Sequence, residues 1–376
     1  MIEPEFFFDA LTQAGIEFYS GVPDSLLKDI CAYISDNANV ENHIIAANEG
    51  NAFAIGIGYH LATNKVPLIY MQNSGLGNIV NPLLSLADPE VYAVPSLLMI
   101  GWRGEPGIKD EPQHKKQGRI TLEMLQVMEV PFHIITPNMN SSEVQDVVNN
   151  AITETKANNR PCALVVKKGS FFPYQLQNTT TSNFPLLRED AIKIIIDNME
   201  SEDIVVSTTG VASREVFEYR EALSQGHEKD FLTVGGMGHA SQIAVGIALH
   251  KPDRQVYCFD GDGAALMHMG AMAINASVAC SNFTHIIFNN GSHDSVGGQP
   301  TVAHQIDIPA IAGAVGYAEV LQVETAVEIQ EAMLSLKNVP GPSLLEIKVK
   351  KGFRKDLGRP TKTPIENKTD LMRFIR

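Results

Sequence analysis

The sequence predicts an α/β protein made of two similar doubly wound parallel-sheet domains, with no middle domain. Three observations carry that expectation. Short apolar runs alternate with helix-like stretches along the whole chain, the pattern of βα units whose sheet is buried on both faces. The alternation pauses once, at QLQNTTTSNFPLLRED (175–190), a polar, Thr-rich stretch with a proline, and then restarts. The length, 376 residues, suits two domains. The expected domains are 1–180 and 181–376.

The elements follow in order. Residues 3–14 are expected as a helix, with Phe7, Leu11 and Ala14 near one face. GIEFYSGVPDSLL (15–27) reads as strand, turn and helix start. HIIAANEGNAFAIGIGYHLAT (43–63) reads as strand then helix, and VPLIYMQNSGLGN (66–78) as strand, glycine turn and helix. VPSLLMIGWRG (94–104) and CALVVKKG (162–169) are further apolar strands. In the second half DIVVSTTG (203–210), FLTVGG (231–236), QVYCFDGDG (255–263), THIIFNNGS (284–292) and LLEIKVKKG (344–352) read as strands. Helices fit between them at HASQIAVGIALH (239–250) and ALMHMGAMAINAS (265–277).

Composition narrows the function. Hydrophobic residues make up 44% and charged residues 19%, which is ordinary for a globular chain with large cores. The formal charge of −14 argues against a nucleic-acid partner, which calls for a basic footprint. It leaves room for an anionic substrate, since a site needs only local positive charge. Cys31, Cys162, Cys258 and Cys280 are scattered with no C-x-x-C pair, so neither a zinc site nor a disulfide framework is expected. A reduced, cytoplasmic setting fits that usage. The segment MIEPEFFFDALTQ carries acids and no basic run, so no signal peptide is expected, and no run of 18 apolar residues suggests a membrane span.

The chemistry starts at FDGDGA (259–264), where a buried strand ends by placing Asp260 and Asp262 among glycines. Asp and Gly make ordinary turns. Here, however, 25 residues (264–288) separate GDG from Asn289-Asn290-Gly291, and they read as one helix and one strand. A β-α-β unit of that length sets two strand ends side by side, so Asp262 and Asn290 should meet at the carboxyl edge of the sheet. A carboxylate, an amide oxygen and a backbone carbonyl suit Mg²⁺. Gly261, Gly263 and Ala264 leave room for a diphosphate to approach the backbone at a helix start.

GDG, an interval of about two dozen residues and then NN resembles the signature of the thiamine-diphosphate enzymes. The resemblance implies thiamine diphosphate and Mg²⁺ as cofactors, with the metal held by Asp262, Asn290 and the backbone of Ser292. It implies a pyrimidine-binding first domain and a diphosphate-binding second domain. It also implies a glutamate that hydrogen-bonds the cofactor's aminopyrimidine, and Glu49 in ANEGNAFAIGIGYHLA (47–62) matches that segment. In VGGMGHAS (234–241) the Gly235 carbonyl is the expected acceptor for the 4′-amino group, and Met237 the wedge beneath the cofactor. Asn73 in QNSGLG matches the turn that faces the pyrimidine. The compact form and the segments GVPDSLL (21–27), GEPGIKDEPQHKKQG (104–118), NNGSHDSVGGQPT (289–301) and KDLGRPTKTPIENK (355–368) resemble the phosphonopyruvate decarboxylases, with the sulfopyruvate decarboxylases as relatives. The implied substrate is a small 2-keto acid, and the implied assembly a homo-oligomer with active sites between chains.

Further site residues are expected around this frame. Asp24 follows the first strand and is either a proton shuttle or a helix cap. His114 in EPQHKKQG is an acid–base group or a solvated loop histidine. His293 and Asp294 follow the metal loop, facing substrate or belonging to a lid hinged at Gly297-Gly298. A phosphonate needs cations, for which Arg103, Lys109, Arg354 and Arg359 are candidates. Two alternatives stand beside this reading. One is another activity on the same cofactor, a sulfopyruvate decarboxylase or an acetolactate-synthase-like carboligase. The other is an NAD-dependent dehydrogenase, because Gly236-Met237-Gly238-His239-Ala240-Ser241 nearly matches G-x-G-x-x-G, although it leaves GDG…NN unexplained.

Overall fold

The computed structural model describes residues 1–179 and 182–376. The chain divides into two compact units, Met1–Thr179 with Ser295–Gln299, and Thr180–Asp294 with Pro300–Arg376. The expected boundary at 180/181 falls outside the described residues.

The first unit runs α1 (Pro4–Gln13), β1 (Tyr19–Gly21), α2 (Lys28–Asn37), β2 (His43–Ile45), α3 (Glu49–Thr63), β3 (Leu68–Gln72), α4 (Leu76–Pro82), β4 (Leu97–Gly101), α5 (Pro112–Val127), β5 (Phe132–Ile135), α6 (Ser141–Asn158) and β6 (Cys162–Val166). Its strands form one parallel sheet in the order β2-β1-β3-β4-β6-β5. Apolar residues fill both faces because successive side chains on a strand point to opposite sides. Leu68, Tyr70, Leu97 and Met99 enter one core with α1 and α2, while Ile69, Met71, Leu98 and Ile100 enter the other. Each such fully buried aliphatic side chain contributes about 1.5–3 kcal/mol.

The second unit runs α7 (Arg188–Asp197), β7 (Ile204–Ser207), α8 (Val211–Ala222), β8 (Asp230–Leu232), α9 (Ala240–His250), β9 (Val256–Gly261), α10 (Asp262–Met267), α11 (Gly270–Val278), β10 (Phe283–Asn289), α12 (Ile308–Val315), β11 (Glu319–Val323), α13 (Ala326–Leu336), β12 (Ser343–Lys348) and α14 (Pro364–Phe374). Its parallel sheet is ordered β11-β12-β10-β9-β7-β8. Read from the other edge, that is the order of the first unit repeated. Tyr257, Phe259, Ile286 and Phe288 pack on one face and Val256, Cys258 and Ile287 on the other.

Four details differ from expectation. The helix expected over 265–277 is two helices, because His268 leaves the helical region at φ −132, ψ 51. The strand expected within 255–263 spans Val256–Gly261, and α10 begins directly at Asp262. The polar stretch to 190 ends earlier, at the start of α7. The edge strands β5 and β11 carried no expectation; both are short and half-exposed, so their apolar alternation is diluted.

Candidate active site

Open parallel sheets bind ligands at the carboxyl ends of their strands, where the strand order reverses. In the first unit that point lies between β1 and β3, and polar side chains gather there. Asp24, just past β1, is buried, and Gln72 Nε2 at the end of β3 donates to its Oδ1 at 2.6 Å. Ser74 Oγ in turn donates to Gln72 Oε1 at 2.9 Å. Asp24 Oδ2 is buried without a hydrogen-bond partner. Burial pushes the carboxyl up to about 6, against the hydrogen bond from Gln72 and the charge of Arg103. The position of Asp24 depends on Gly101 at the end of β4: a Cβ there would lie 2.2 Å from Asp24 Oδ2. Asp24 is not the cap of α2, which starts at Lys28 after Leu27.

Glu49 is the first residue of α3, behind an Asn48 cap, and its side chain is buried. Asn78 Nδ2 donates to Glu49 Oε2 at 2.6 Å. Gly75 leaves the other oxygen its space, since a Cβ there would come within 2.5 Å of Oε1. Asn73 is buried, but its amide is fully engaged inside the unit. Its Nδ2 donates to Arg103 O and to Thr121 Oγ1, each at 2.8 Å, and its Oδ1 accepts from Arg103 N at 3.2 Å. The side chain therefore braces the turn. His114, in the first turn of α5, is half-buried with Nδ1 unpartnered. Burial lowers its pKa, and Arg103 adds to the effect.

In the second unit β9 and β10 are neighbours, with Gly261 paired to Phe288, so Asp262 and Asn290 emerge side by side. Thr301 Oγ1 donates to Asp262 Oδ2. Burial pushes the Asp262 carboxyl up to about 6, against Thr301 and the backbone N–H groups of Asn290 and Gly263. Asn290 Oδ1 accepts from Ser292 N at 3.0 Å, and Asn290 Nδ2 donates to Asp294 Oδ2 at 2.7 Å. Ser292 Oγ is buried without a partner. A Cβ on Gly263 would meet both the His293 ring, at 3.0 Å, and Met237 Cε, at 3.4 Å, so these side chains converge over the GDG turn. Burial pushes the His293 imidazole down to about 4, with Asp294 opposing. Gly235 lies half-buried on the turn between β8 and α9, and Gly261 and Ala264 flank the GDG turn. Gly297 and Gly298 take φ of 135° and 81°, backbone that favours glycine.

The four expected cations separate. Arg103 is held by Asp110 through two bonds, at 2.8 and 2.5 Å, and donates to Ser25 Oγ at 2.7 Å. Arg354 pairs with Glu189, Glu218 and Asp356. Both guanidinium groups are thus engaged within their own units. Arg359 is exposed after Gly358, and Lys109 is exposed on the loop before α5. The residues that sequence reading missed are Gln72, Asn78 and Thr301, each hydrogen-bonded to a carboxylate that it singled out. Their signal was their place in or next to segments already singled out: Gln72 opens QNSGLG, Asn78 follows it, and Thr301 closes NNGSHDSVGGQPT.

Comparison with known proteins matches the description "Thiamine pyrophosphate enzyme, N-terminal TPP binding domain" to residues 4–125 and its C-terminal TPP binding domain to residues 208–347. The second match spans both the Gly236–Ser241 turn and GDG…NN, which leaves no place for the dinucleotide reading. The chain is 32% identical to a phosphonopyruvate decarboxylase of Streptomyces viridochromogenes, covering 97% of this chain and 93% of that one. It is 33% identical to that of Streptomyces hygroscopicus, over 97% and 92%. A sulfopyruvate decarboxylase of Methanosarcina acetivorans is 28% identical over 92% and 90%.

Proposed function

The chain belongs to the thiamine pyrophosphate enzyme family and is a thiamine-diphosphate-dependent decarboxylase; from that premise we propose that it converts 3-phosphonopyruvate to phosphonoacetaldehyde and CO₂, with Mg²⁺ as the metal. The observation that carries the substrate is the near-full-length similarity to two phosphonopyruvate decarboxylases, higher than that to the sulfopyruvate enzyme. The product aldehyde would feed phosphonate biosynthesis, as for 2-aminoethylphosphonate.

The residues fit the cofactor. Asp262 and Asn290 offer only oxygen ligands, next to a buried Ser292 Oγ that lacks a partner, and such a set suits a hard divalent cation. A cation there would favour the ionised form of Asp262, which burial alone disfavours. When bound, thiamine diphosphate supplies the electron sink that lets a 2-keto acid lose its carboxylate. Glu49, held by Asn78 and given room by Gly75, is the carboxyl that would hydrogen-bond the aminopyrimidine. Asp24, pushed up to about 6 by burial, exchanges protons readily near neutral pH, the property required of an acid–base group, while burial favours the neutral form of His114.

The test is CO₂ release from phosphonopyruvate, sulfopyruvate and pyruvate in the presence of Mg²⁺ and thiamine diphosphate. Phosphonopyruvate should show the highest kcat/KM. A preference for sulfopyruvate or pyruvate overturns the assignment, and ligation products formed with an added aldehyde acceptor would indicate the carboligase alternative.

A further inference from the structure

The loop between β4 and α5 and the first two turns of α5 form an open surface pocket of about 470 Å³ in the first unit. Lys109 from the loop and Lys115 and Arg119 from the helix line it. Lys115 and Arg119 are four residues apart and so lie on one face of α5. Among the described residues none of these three cations has a carboxylate partner. The acid on the cavity wall, Glu105, is paired with Lys167 at 2.6 Å, and the neighbouring Asp110 is held by Arg103 at 2.5 Å. Three positive charges thus share one concave surface without a paired carboxylate.

The walls are fixed. A Cβ on Gly104 would lie 2.0 Å from His114 O, and one on Gly118 would lie 1.8 Å from Gly104 O, so loop and helix touch through their backbones. Trp102 Nε1 donates to Gly118 O at 2.8 Å, and Gly104 N donates to Asp110 Oδ2 at 2.9 Å. A braced cation cluster loses little freedom when an anion enters. One wall residue, Gly104, packs against the backbone of His114. Gly104 follows Arg103, whose backbone N–H and C=O both bond the Asn73 side chain, and His114 precedes Lys115.

We propose that this cavity is the subsite for the substrate's second anion, a tetrahedral phosphonate carried one carbon beyond the keto group. The proposal rests on the phosphonopyruvate reading above. Arg103 and Arg354 are already paired with carboxylates, whereas Lys109, Lys115 and Arg119 together carry enough charge to neutralise a dianion.

The test compares the wild type with Lys109→Gln, Lys115→Gln, Arg119→Gln and the triple variant. Lys116→Gln, exposed on the same helix but outside the cavity lining, is the control. KM and kcat are measured for phosphonopyruvate and for pyruvate, together with inhibition by methylphosphonate. Each single change should raise KM for phosphonopyruvate about tenfold, the cost of one lost charge-assisted contact. The triple variant should raise it further, methylphosphonate inhibition should weaken in parallel, and Lys116→Gln should change neither. Wild-type turnover of phosphonopyruvate with KM unmoved in the triple variant overturns the subsite and leaves the substrate assignment standing. Methylphosphonate inhibition that survives the triple change, or phosphate that binds the cavity without competing with substrate, likewise overturns the subsite. Absence of phosphonopyruvate turnover by the wild type overturns the assignment and this proposal with it.

Discussion

At the scale of single residues, Asp24 shows how the fold sets a carboxyl against its own preference. In the unfolded chain it ionises near 3.8, and burial raises this to about 6 in the native protein. Between those values the native state binds more protons than the unfolded one, so stability falls as pH rises through the window and stays reduced above it. Asp24→Asn has no such titration. Urea melts of the cofactor-free proteins at pH 4 and pH 7 should show the variant gaining roughly 2 kcal/mol relative to wild type at the higher pH. An equal stability difference at both pH values would mean that Asp24 is not perturbed. The carboxylates themselves were legible in the sequence because each follows an apolar run at a turn. Gln72 and Asn78 were not, because amides in a turn have no pattern of their own. Only the strand order, which places β3 beside β1, sets Gln72 against Asp24. The partners of the arginines were not legible either: a guanidinium's partner is a tertiary fact, and Asp110 and Glu189 carry no mark in the sequence as the ones that hold Arg103 and Arg354.

At the scale of elements, the informative unit is β9 and β10 with the helices between them. The sequence showed that two strand ends would meet, since the length between GDG and NN suits one crossover. It did not show that the crossover breaks at His268, because the apolar pattern runs unbroken through MHMG. The edge strands were hidden in the same way, by mixed exposure and not by lack of β-branched or aromatic residues. The pairing of β9 with β10 leads to a prediction about the Asp262 carboxylate. Asp262→Ala removes the charged oxygen ligand from the proposed metal set while leaving the strand pairing intact. Thiamine diphosphate titrated in Mg²⁺, followed by protein fluorescence, should bind the variant more than about a hundredfold more weakly, since even outer partners of metal ligands cost 10–100-fold. Retention of wild-type affinity would remove Asp262 from the site.

At the scale of the whole molecule, the two units repeat one strand order, and this is why the sequence pattern pauses and restarts. A repeated fold does not carry a repeated site. The first unit's carboxyl edge presents Glu49 and Asp24, while the second presents Asp262, Asn290 and Ser292, and in the function proposed above one cofactor would draw on both sets. No helix among the described residues is long and apolar enough to cross a membrane. In the thiamine-diphosphate resemblance, the glutamate domain of one chain serves the GDG domain of another. A symmetric homodimer is the commonest such unit. Glu49→Gln and Asp262→Ala should each be inactive alone: Gln donates where a shared proton is required, and Ala removes a ligand. Mixed under conditions that allow subunit exchange, half of the dimers become heterodimers, each with one doubly altered site and one intact site. Activity should then return to about a quarter of the wild-type value for random exchange between equivalent subunits. If exchange is verified by an independent label and no activity returns, each site draws both sets of residues from a single chain, and the composite-site assembly is wrong.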